Sequence, residues 1–378
     1  MKYSYFYRTP VDGSLRQAFL FFSRWNTTPS GVFFMIPCLL IWQQSFCFLV
    51  IFNIFVAIRL ATPLYNAQPG EFSIFTHSRQ MQYSKVPIDI PSQIALLKSR
   101  GLLFKDEGKS AHYLSNISYY RLRAYTYPFQ DKTDPNHTFT EQIYFEDIID
   151  LYVFDRKLRM LVFDAIEKIE VALRTKIVYH FSIAHGSHWH EMSGLYLSNT
   201  RFIKDLSDLY KEIDRSTETF IKHYNSKYTN PAYPASWMSL EVASMGLLSK
   251  MFSNLKNGPE KKKVYYDFGV KNYTILESWL HSICHIRNIC AHHGRLWNRR
   301  LTAMPEMPNN PIYPFLNNKQ VNPNKIYATL SCMTYILHII SPGSTFNSSL
   351  KSLLQSCSLV NLKEMGFPKG WEKEPLWQ

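Results

Sequence analysis

The sequence predicts an all-α fold for most of the chain, on three observations. Several segments place apolar residues at helical spacing, and the longest such stripe runs from Phe145 to about Phe181. Glycine, proline and small polar residues stand near the ends of these segments, where helices begin and end. No convincing strand alternation, no GxGxxG sequence and no Walker loop occurs after residue 80.

The elements follow one another from residue 91 onward. Gly101 is a usual residue just after a helix, Ser236 is a suitable N-cap, and Gly258 and Pro342 are suitable stops. The predicted helices cover residues 91–100, 109–115, 119–125, 145–181, 201–224 (as one polar helix or a pair), 237–255, 273–293 and 325–340. Turn residues at 131–137 and a proline-rich stretch from Pro305 to Pro314 connect helices.

Composition indicates a globular, basic protein. Charged residues make up 19% of the chain and aromatic residues 15%, and the formal net charge is +13. Such a charge favours polyanions such as RNA, although many basic cytoplasmic proteins bind none. The six cysteines form no CxxC pair, which indicates a reduced compartment without a disulfide framework or a zinc knuckle.

Residues 1–80 differ from the rest of the chain. No charged residue occurs from Trp25 to Ile58, a length that would cross a bilayer, although Pro37 and several polar residues weaken a spanning helix. Three explanations remain: a membrane anchor, a diverged extra domain, or upstream sequence translated from an early start codon ahead of Met81. We therefore expect a cytoplasmic helical domain at 81–378, with an inner-membrane anchor through residues 25–58 as the alternative.

The segment from Arg287 to Arg299 concentrates chemical groups: two imidazoles, two amides and three guanidiniums. On a helical wheel with Arg287 at the origin, Asn288 falls at about 100° and His292 at about 140°. The apolar residues before them, from Leu276 to Cys290, fall on the opposite side. His281 and His285 precede the polar residues by one or two turns, whereas His293 points away from them.

This grouping suits the cleavage of a phosphodiester. Arginine offers a planar fork of donors for two phosphate oxygens, and histidine exchanges a proton near neutral pH. A neutral imidazole can deprotonate a ribose 2′-hydroxyl, which then attacks the adjacent phosphorus while arginine holds the growing charge. No metal or other cofactor is required. The alternative is a core helix with its polar edge in water, because an arginine and a histidine at this spacing occur often by chance.

The residues around this pair resemble the signature of the Abi family, bacterial abortive-infection proteins related to AbiD and AbiF. The likeness begins near Met81 and is strongest over Trp279–Arg299. Further matching segments follow in the same order: 93–101, 113–122, 151–159, 166–170, 173–175, 222–224, 234–237 and 366–368. The family is grouped with HEPN domains, helical bundles whose active members are RNA nucleases with an Arg-x4-6-His motif. The resemblance implies a HEPN-like bundle with additional N- and C-terminal helices.

The resemblance also implies roles for individual residues. Arg287 and His292 match the motif, and Asn288 matches the polar residue that often follows its arginine. We expect His292 to move the proton, Arg287 to bind the phosphate, and Arg295 and Arg299 to grip the RNA backbone. One motif per chain supplies few groups for both sides of a phosphoryl transfer, so a homodimer with two facing motifs is expected.

Other constellations are weaker. Glu170 and Arg174 form either a helix surface pair or a support that orients Arg287 or His292. Tyr120 and Arg121 belong to an aromatic and basic cluster that suits base stacking, or else simply packs. His185, His188 and His190 lack the carboxylate or cysteine spacing of a metal site, so none is expected. The rival function is a non-catalytic RNA- or protein-binding regulatory module with an unidentified partner, membrane-tethered if residues 25–58 are expressed.

Overall fold

The computed structural model describes three strands near the N-terminus and residues 83–378 except residue 319. The chain divides into two compact units, Met1–Lys85 and Val86–Gln378. In the first, β1 (Ala18–Phe21), β2 (Cys38–Gln43) and β3 (Phe46–Leu49) form an antiparallel sheet in the order β1-β2-β3. Apart from these strands, the predicted leader or anchor at residues 1–80 lies outside the described residues.

The second unit is built from helices, which confirms the predicted all-α class. Its α-helices are α1 (Ile90–Ser99), α2 (Glu107–Ile117), α3 (Tyr119–Thr126), α4 (Phe145–His185), α5 (Asn199–Asp214), α6 (Thr219–Lys227), α7 (Ser236–Ser239), α8 (Met245–Asn254), α9 (Pro259–Asp267), α10 (Tyr273–Ala291), α11 (Ile326–Ile340), α12 (Phe346–Leu354) and α13 (Leu362–Met365). None of the helices in the described part of the chain is long and apolar enough to cross a membrane.

Helix α4 is the central element of this unit. Its backbone starts at Tyr144, whose N–H donates to the Asp147 carboxylate, and it ends at Gly186, which has a φ of 86°. A continuous stripe from Phe145 to Phe181 is buried, as the apolar spacing of the sequence predicts. Helices α3, α9, α10, α11 and α12 all pack against α4. The motif helix α10 is therefore held on the same core that α4 organises.

Helix α11 forms the other part of the core. Every residue from Ile326 to Leu337 is buried, so this helix is surrounded on all sides. The C-terminal segment closes over it, and the Trp377 indole N–H donates to the Tyr327 hydroxyl at 3.2 Å. The additional C-terminal helices therefore complete the core instead of extending from it.

Most helix ends agree with the sequence prediction, but the segment predicted as one helix at 237–255 is divided. It forms α7 and α8, and Ser236 is the first residue of α7 and not its cap. The Arg174 guanidinium donates to the carbonyl of Leu240 at 2.8 Å and to that of Ala243 at 3.0 Å. Because these carbonyls are satisfied from α4, the chain can leave the helix between them.

Candidate functional site

The polar end of α10 carries the motif residues. Asn272 caps the start of the helix, and Leu276, Trp279 and Ile283 are buried on its inner side. Arg287 is half-buried, while Asn288 and His292 are exposed. Within residues 83–378, none of these three side chains has a hydrogen bond or an ion pair with another protein group. Their donors and acceptors are therefore available to a ligand.

The helix ends at the motif because of the backbone of His293. His293 has a φ of 55°, in the left-handed region that favours glycine. The His293 N–H donates to Cys290 and the Gly294 N–H donates to Ile289, at 3.0 and 2.8 Å. These two bonds form a Schellman motif with histidine where glycine is usual. The wheel used for His293 does not apply beyond Ala291, and the His293 side chain lies at a cleft beside α4.

His281, His285 and Arg299 lie together on the outer side of α10. Burial lowers the pKa of His285 below its ordinary value, and the charges of Arg299 and His281 lower it further. The His285 Nε2 lies 3.5 Å from the Thr302 hydroxyl. His281 and Arg299 are exposed, so the permanent charge of Arg299 faces solvent on this side of α10. The structure thus places these three expected supporting residues next to one another.

A buried carboxylate fixes the loop that follows the motif. Asp155 on α4 is fully buried, accepts from the Tyr125 hydroxyl at 2.7 Å and forms an ion pair with Arg159. It also accepts from the backbone N–H of Leu296 at 3.1 Å and of Trp297 at 2.8 Å. Burial raises the pKa of the Asp155 carboxyl, and the Arg159 charge and these hydrogen bonds oppose that rise.

Three arginines complete this attachment. Arg121 donates to the carbonyl of His293 at 2.8 Å, and Arg159 donates to that of Gly294 at 3.3 Å. Arg295 donates in the opposite direction, to the carbonyl of Ala124 on α3. Arg121 and Arg295, which the sequence suggested for RNA contacts, therefore already use part of their donor set within the protein.

Asp155 and Arg159 are not among the predicted site residues, although their i, i+4 spacing inside an apolar stripe is a signal for a buried pair. Tyr120, beside Arg121, is 84% exposed and presents an aromatic face to solvent. It is therefore free to stack against a planar ligand.

Glu170 and Arg174 have different surroundings. They form an ion pair at 2.9 Å, and Arg174 also holds the turn between α7 and α8. Burial raises the pKa of the Cys284 thiol to about 11, the Glu170 charge adds to that rise, and the Arg287 charge opposes it. The charges of Glu170 and Arg287 therefore both act on Cys284. Glu170 is the member of the pair that stands near the motif, and Arg174 is committed to the turn.

A cleft of about 700 Å³ separates α4 from the end of α10. It is lined by Arg156, Arg159, Met160, Phe163, Asp164, Glu167, Cys290, Ala291 and His293. The residues from α10 and its following loop stand on both sides of His292 in the sequence. His292 itself does not line the cleft, which opens at the same end of α10 as the motif.

The described residues contain no group of three or more histidine, cysteine, aspartate or glutamate side chains placed to hold a metal ion. His188 bonds the Tyr233 carbonyl at 3.1 Å, and His190 is buried with neither ring nitrogen hydrogen-bonded. The four cysteines in the described part of the chain are all free.

The model of the Abi-like protein family matches residues 112–298. The chain belongs to this family. The matched segment of the Abi-like chain begins in α2 and ends just after the motif, so it includes α4, the Asp155 attachment and all of α10. Membership of the Abi-like family associates the chain with abortive infection. No curated protein and no solved structure gives a match.

Proposed function

We propose that this Abi-like chain is a metal-independent RNA endonuclease of the HEPN type that acts in abortive infection. The observation that carries the proposal is the placement of Arg287, Asn288 and His292 at the exposed end of one helix. Within the described residues their side chains have no protein partners. A rigid, buried attachment through Asp155 fixes the loop that follows, which favours a preorganised site.

The proposed reaction uses groups of this chain alone. His292 accepts the proton of the ribose 2′-hydroxyl, whose oxygen forms a new bond to phosphorus. The bond between phosphorus and the 5′-oxygen breaks, and that oxygen receives a proton from a second imidazole. The products are a 2′,3′-cyclic phosphate and a 5′-hydroxyl. Arg287 binds the phosphoryl oxygens bidentately, and Asn288 orients the reacting group.

The second imidazole is the reason for proposing a homodimer. A two-fold axis beside the ends of two α10 helices gives one shared active site with two copies of Arg287 and His292. One His292 then acts as the base and the other as the acid. Arg299 supplies positive charge along the approach of the RNA backbone, and His281 and His285 offer hydrogen bonds beside it.

The test is incubation of the purified full chain with end-labelled RNA in EDTA, beside the His292→Ala variant. We expect cleavage by the parent, cyclic phosphate ends, and no cleavage of a substrate with 2′-deoxyribose at the cut position. Activity that EDTA abolishes and magnesium restores would exclude the mechanism.

The second candidate is a non-catalytic RNA-binding module. The exposed Tyr120 ring favours it, because a stacking platform binds RNA without cutting it. A parent chain that binds RNA but never cleaves it, with binding reduced in Tyr120→Ala, would support this alternative.

A further inference from the structure

One wall of the cleft between α4 and the end of α10 is formed by side chains at helical spacing on α4. Arg156, Met160, Phe163 and Glu167 follow one another at i, i+4, i+7 and i+11 on α4 and all line the cleft. This spacing keeps them within about 100° of one another around the helix. They therefore form a single strip in the order cation, apolar surface, carboxylate.

The middle of the strip is an exposed apolar surface. Met160 is 60% exposed and Phe163 is 41% exposed, on a helix whose opposite side is fully buried. An aromatic ring and a thioether that face a cleft provide a surface on which a planar ring stacks. The volume of about 700 Å³ lies within the usual range for sites that hold small organic groups.

The carboxylate at one end of the strip has no partner. Glu167 makes no hydrogen bond or ion pair to any residue of the described chain, whereas its neighbour Asp164 pairs with Lys168 at 2.9 Å. Both oxygens of Glu167 are therefore free to accept from a ligand. Next to an aromatic surface, two adjacent acceptors select a flat ligand with two adjacent N–H donors.

Among the RNA bases only guanine has that edge. Its N1–H and N2–H₂ are adjacent donors that match the two oxygens of one carboxylate. Adenine and cytosine each present one amino group beside a ring nitrogen that is itself an acceptor. Uracil places a carbonyl on each side of its single donor, and these oxygens would face the carboxylate.

The position of the cleft connects this recognition to cleavage. Its opposite wall contains Ala291 and His293, the two neighbours of His292 in the chain. A base held on Phe163 therefore lies at the same end of α10 as the motif, although Arg287, Asn288 and His292 do not line the cleft themselves. At the other end of the strip, the contact of Arg156 with the Met160 sulfur at 3.6 Å leaves other guanidinium donors for a phosphate.

We propose that this cleft is a guanine-binding subsite, in which Glu167 reads the base edge and Phe163 stacks on the ring. The inference rests on the proposed function, since it assigns a sequence preference to that RNA cleavage. The expected behaviour is cleavage next to guanine. Exchange of Glu167 for Gln replaces one acceptor by a donor and is expected to reduce the preference roughly 10- to 100-fold.

The first experiment sequences the RNA ends made by the full chain and by the variants Glu167→Gln and Phe163→Ala. The matched controls are Glu141→Gln, an exposed glutamate outside the cleft, and Val171→Ala, an exposed apolar residue further along α4. Loss of guanine preference in the first pair and its retention in the controls are expected. Cleavage without base preference, unchanged by Glu167→Gln, overturns the inference and leaves the proposed function intact.

The second experiment needs no cleavage. Binding of guanosine 3′-monophosphate and adenosine 3′-monophosphate to the full chain is measured by calorimetry. We expect tighter binding of the guanosine nucleotide, lost in Glu167→Gln and kept in Glu141→Gln. This result in a chain that never cleaves RNA supports the subsite and rejects the nuclease. Equal binding of the two nucleotides rejects the subsite. A change from dimer to monomer in the Phe163→Ala chain also rejects it, because the cleft is then part of a subunit interface.

Discussion

At the scale of single residues, the proposed proton carrier and the proposed phosphate ligand have separate surroundings. His292 is exposed at the end of α10, whereas Arg287 is half-buried. An exposed imidazole can approach a ribose freely, whereas part of the Arg287 side chain is covered by protein. The two roles therefore predict different responses to substitution.

Exchange of His292 for Ala removes the proposed proton carrier, and we expect the cleavage rate to fall at least ~10²-fold. Arg287→Lys is also expected to be impaired, because an ammonium cannot replace the bidentate fork. Single-turnover cleavage rates measure both effects, with thermal melting as the check that each variant folds. His223→Ala, an exposed histidine on α6, is the matched control. A folded His292→Ala chain as fast as the parent would remove His292 from the mechanism.

His293 permits a test of the backbone at the helix end. Its φ of 55° is unfavourable for a residue with a Cβ and most unfavourable for a β-branched one. We expect His293→Gly to match the parent or stabilise it by up to ~1 kcal/mol, and His293→Val to be less stable than the glycine variant by at least ~1 kcal/mol. Urea unfolding measures the difference. Equal stability of the two variants would contradict the strained conformation.

At the scale of elements, helices whose signals are local could be predicted. The ends of α1, α2, α3 and α11 lie within two residues of the predicted ends, because an apolar stripe and a cap or stop stand in the same segment. The division of α7 from α8 was not predictable, since the group that satisfies the open carbonyls is Arg174 on α4. Helix α9 was missed because its charged run hides a buried Lys261, whose ammonium bonds Glu277 at 2.6 Å.

In the candidate site, too, only the features with a local signal could be predicted from the sequence. Spacing on one helix predicts the grouping of Arg287, Asn288 and His292, and in the structure the first two lie in the last two turns of α10 and His292 is its C-cap. The attachment of the loop to Asp155 joins residues about 140 positions apart, as do the two walls of the cleft. Such contacts depend on how helices pack, and a single sequence contains no local signal for them.

The short 3-10 helix Trp189–Glu191 gives a prediction about pH. His190 is fully buried, and burial lowers its pKa from 6.5 to about 4, with the charge of His188 adding to the shift. The folded chain therefore binds this proton less readily than the unfolded chain does. The contribution of neutral His190 is present above pH 6.5 and is lost as the pH falls toward 4, by on the order of 2–3 kcal/mol.

Urea unfolding at several pH values between 7.5 and 4.5 measures this loss in the parent and in His190→Phe. Burial also lowers the pKa of His285 and His338, so both chains lose some stability in acid. The parent is expected to lose more, and the difference isolates His190. Parallel curves for the two chains would show that His190 does not stay neutral in the fold.

At the scale of the whole molecule, the second unit presents the motif, a cleft of about 700 Å³ and the exposed Arg299 near the same end of α10. The buried stripe of α4 holds all three in fixed relation, because α3 and α10 both pack on it. Each chain has only one His292. The proposed phosphoryl transfer needs both an acid and a base, so we propose that a second copy of the chain completes it.

Light scattering of the full chain is expected to give about twice the chain mass of 44.4 kDa. If two motifs form each active site, the specific activity falls when dilution separates the protomers, and it returns when the protein is concentrated again. The proportion of dimer and the cleavage rate should then follow the same curve against protein concentration. Cross-linked dimers, which cannot dissociate, are the control that keeps activity on dilution. A monomer with undiminished specific activity would mean that one chain provides both the acid and the base, and His281 or His285 would then be the group to exchange next.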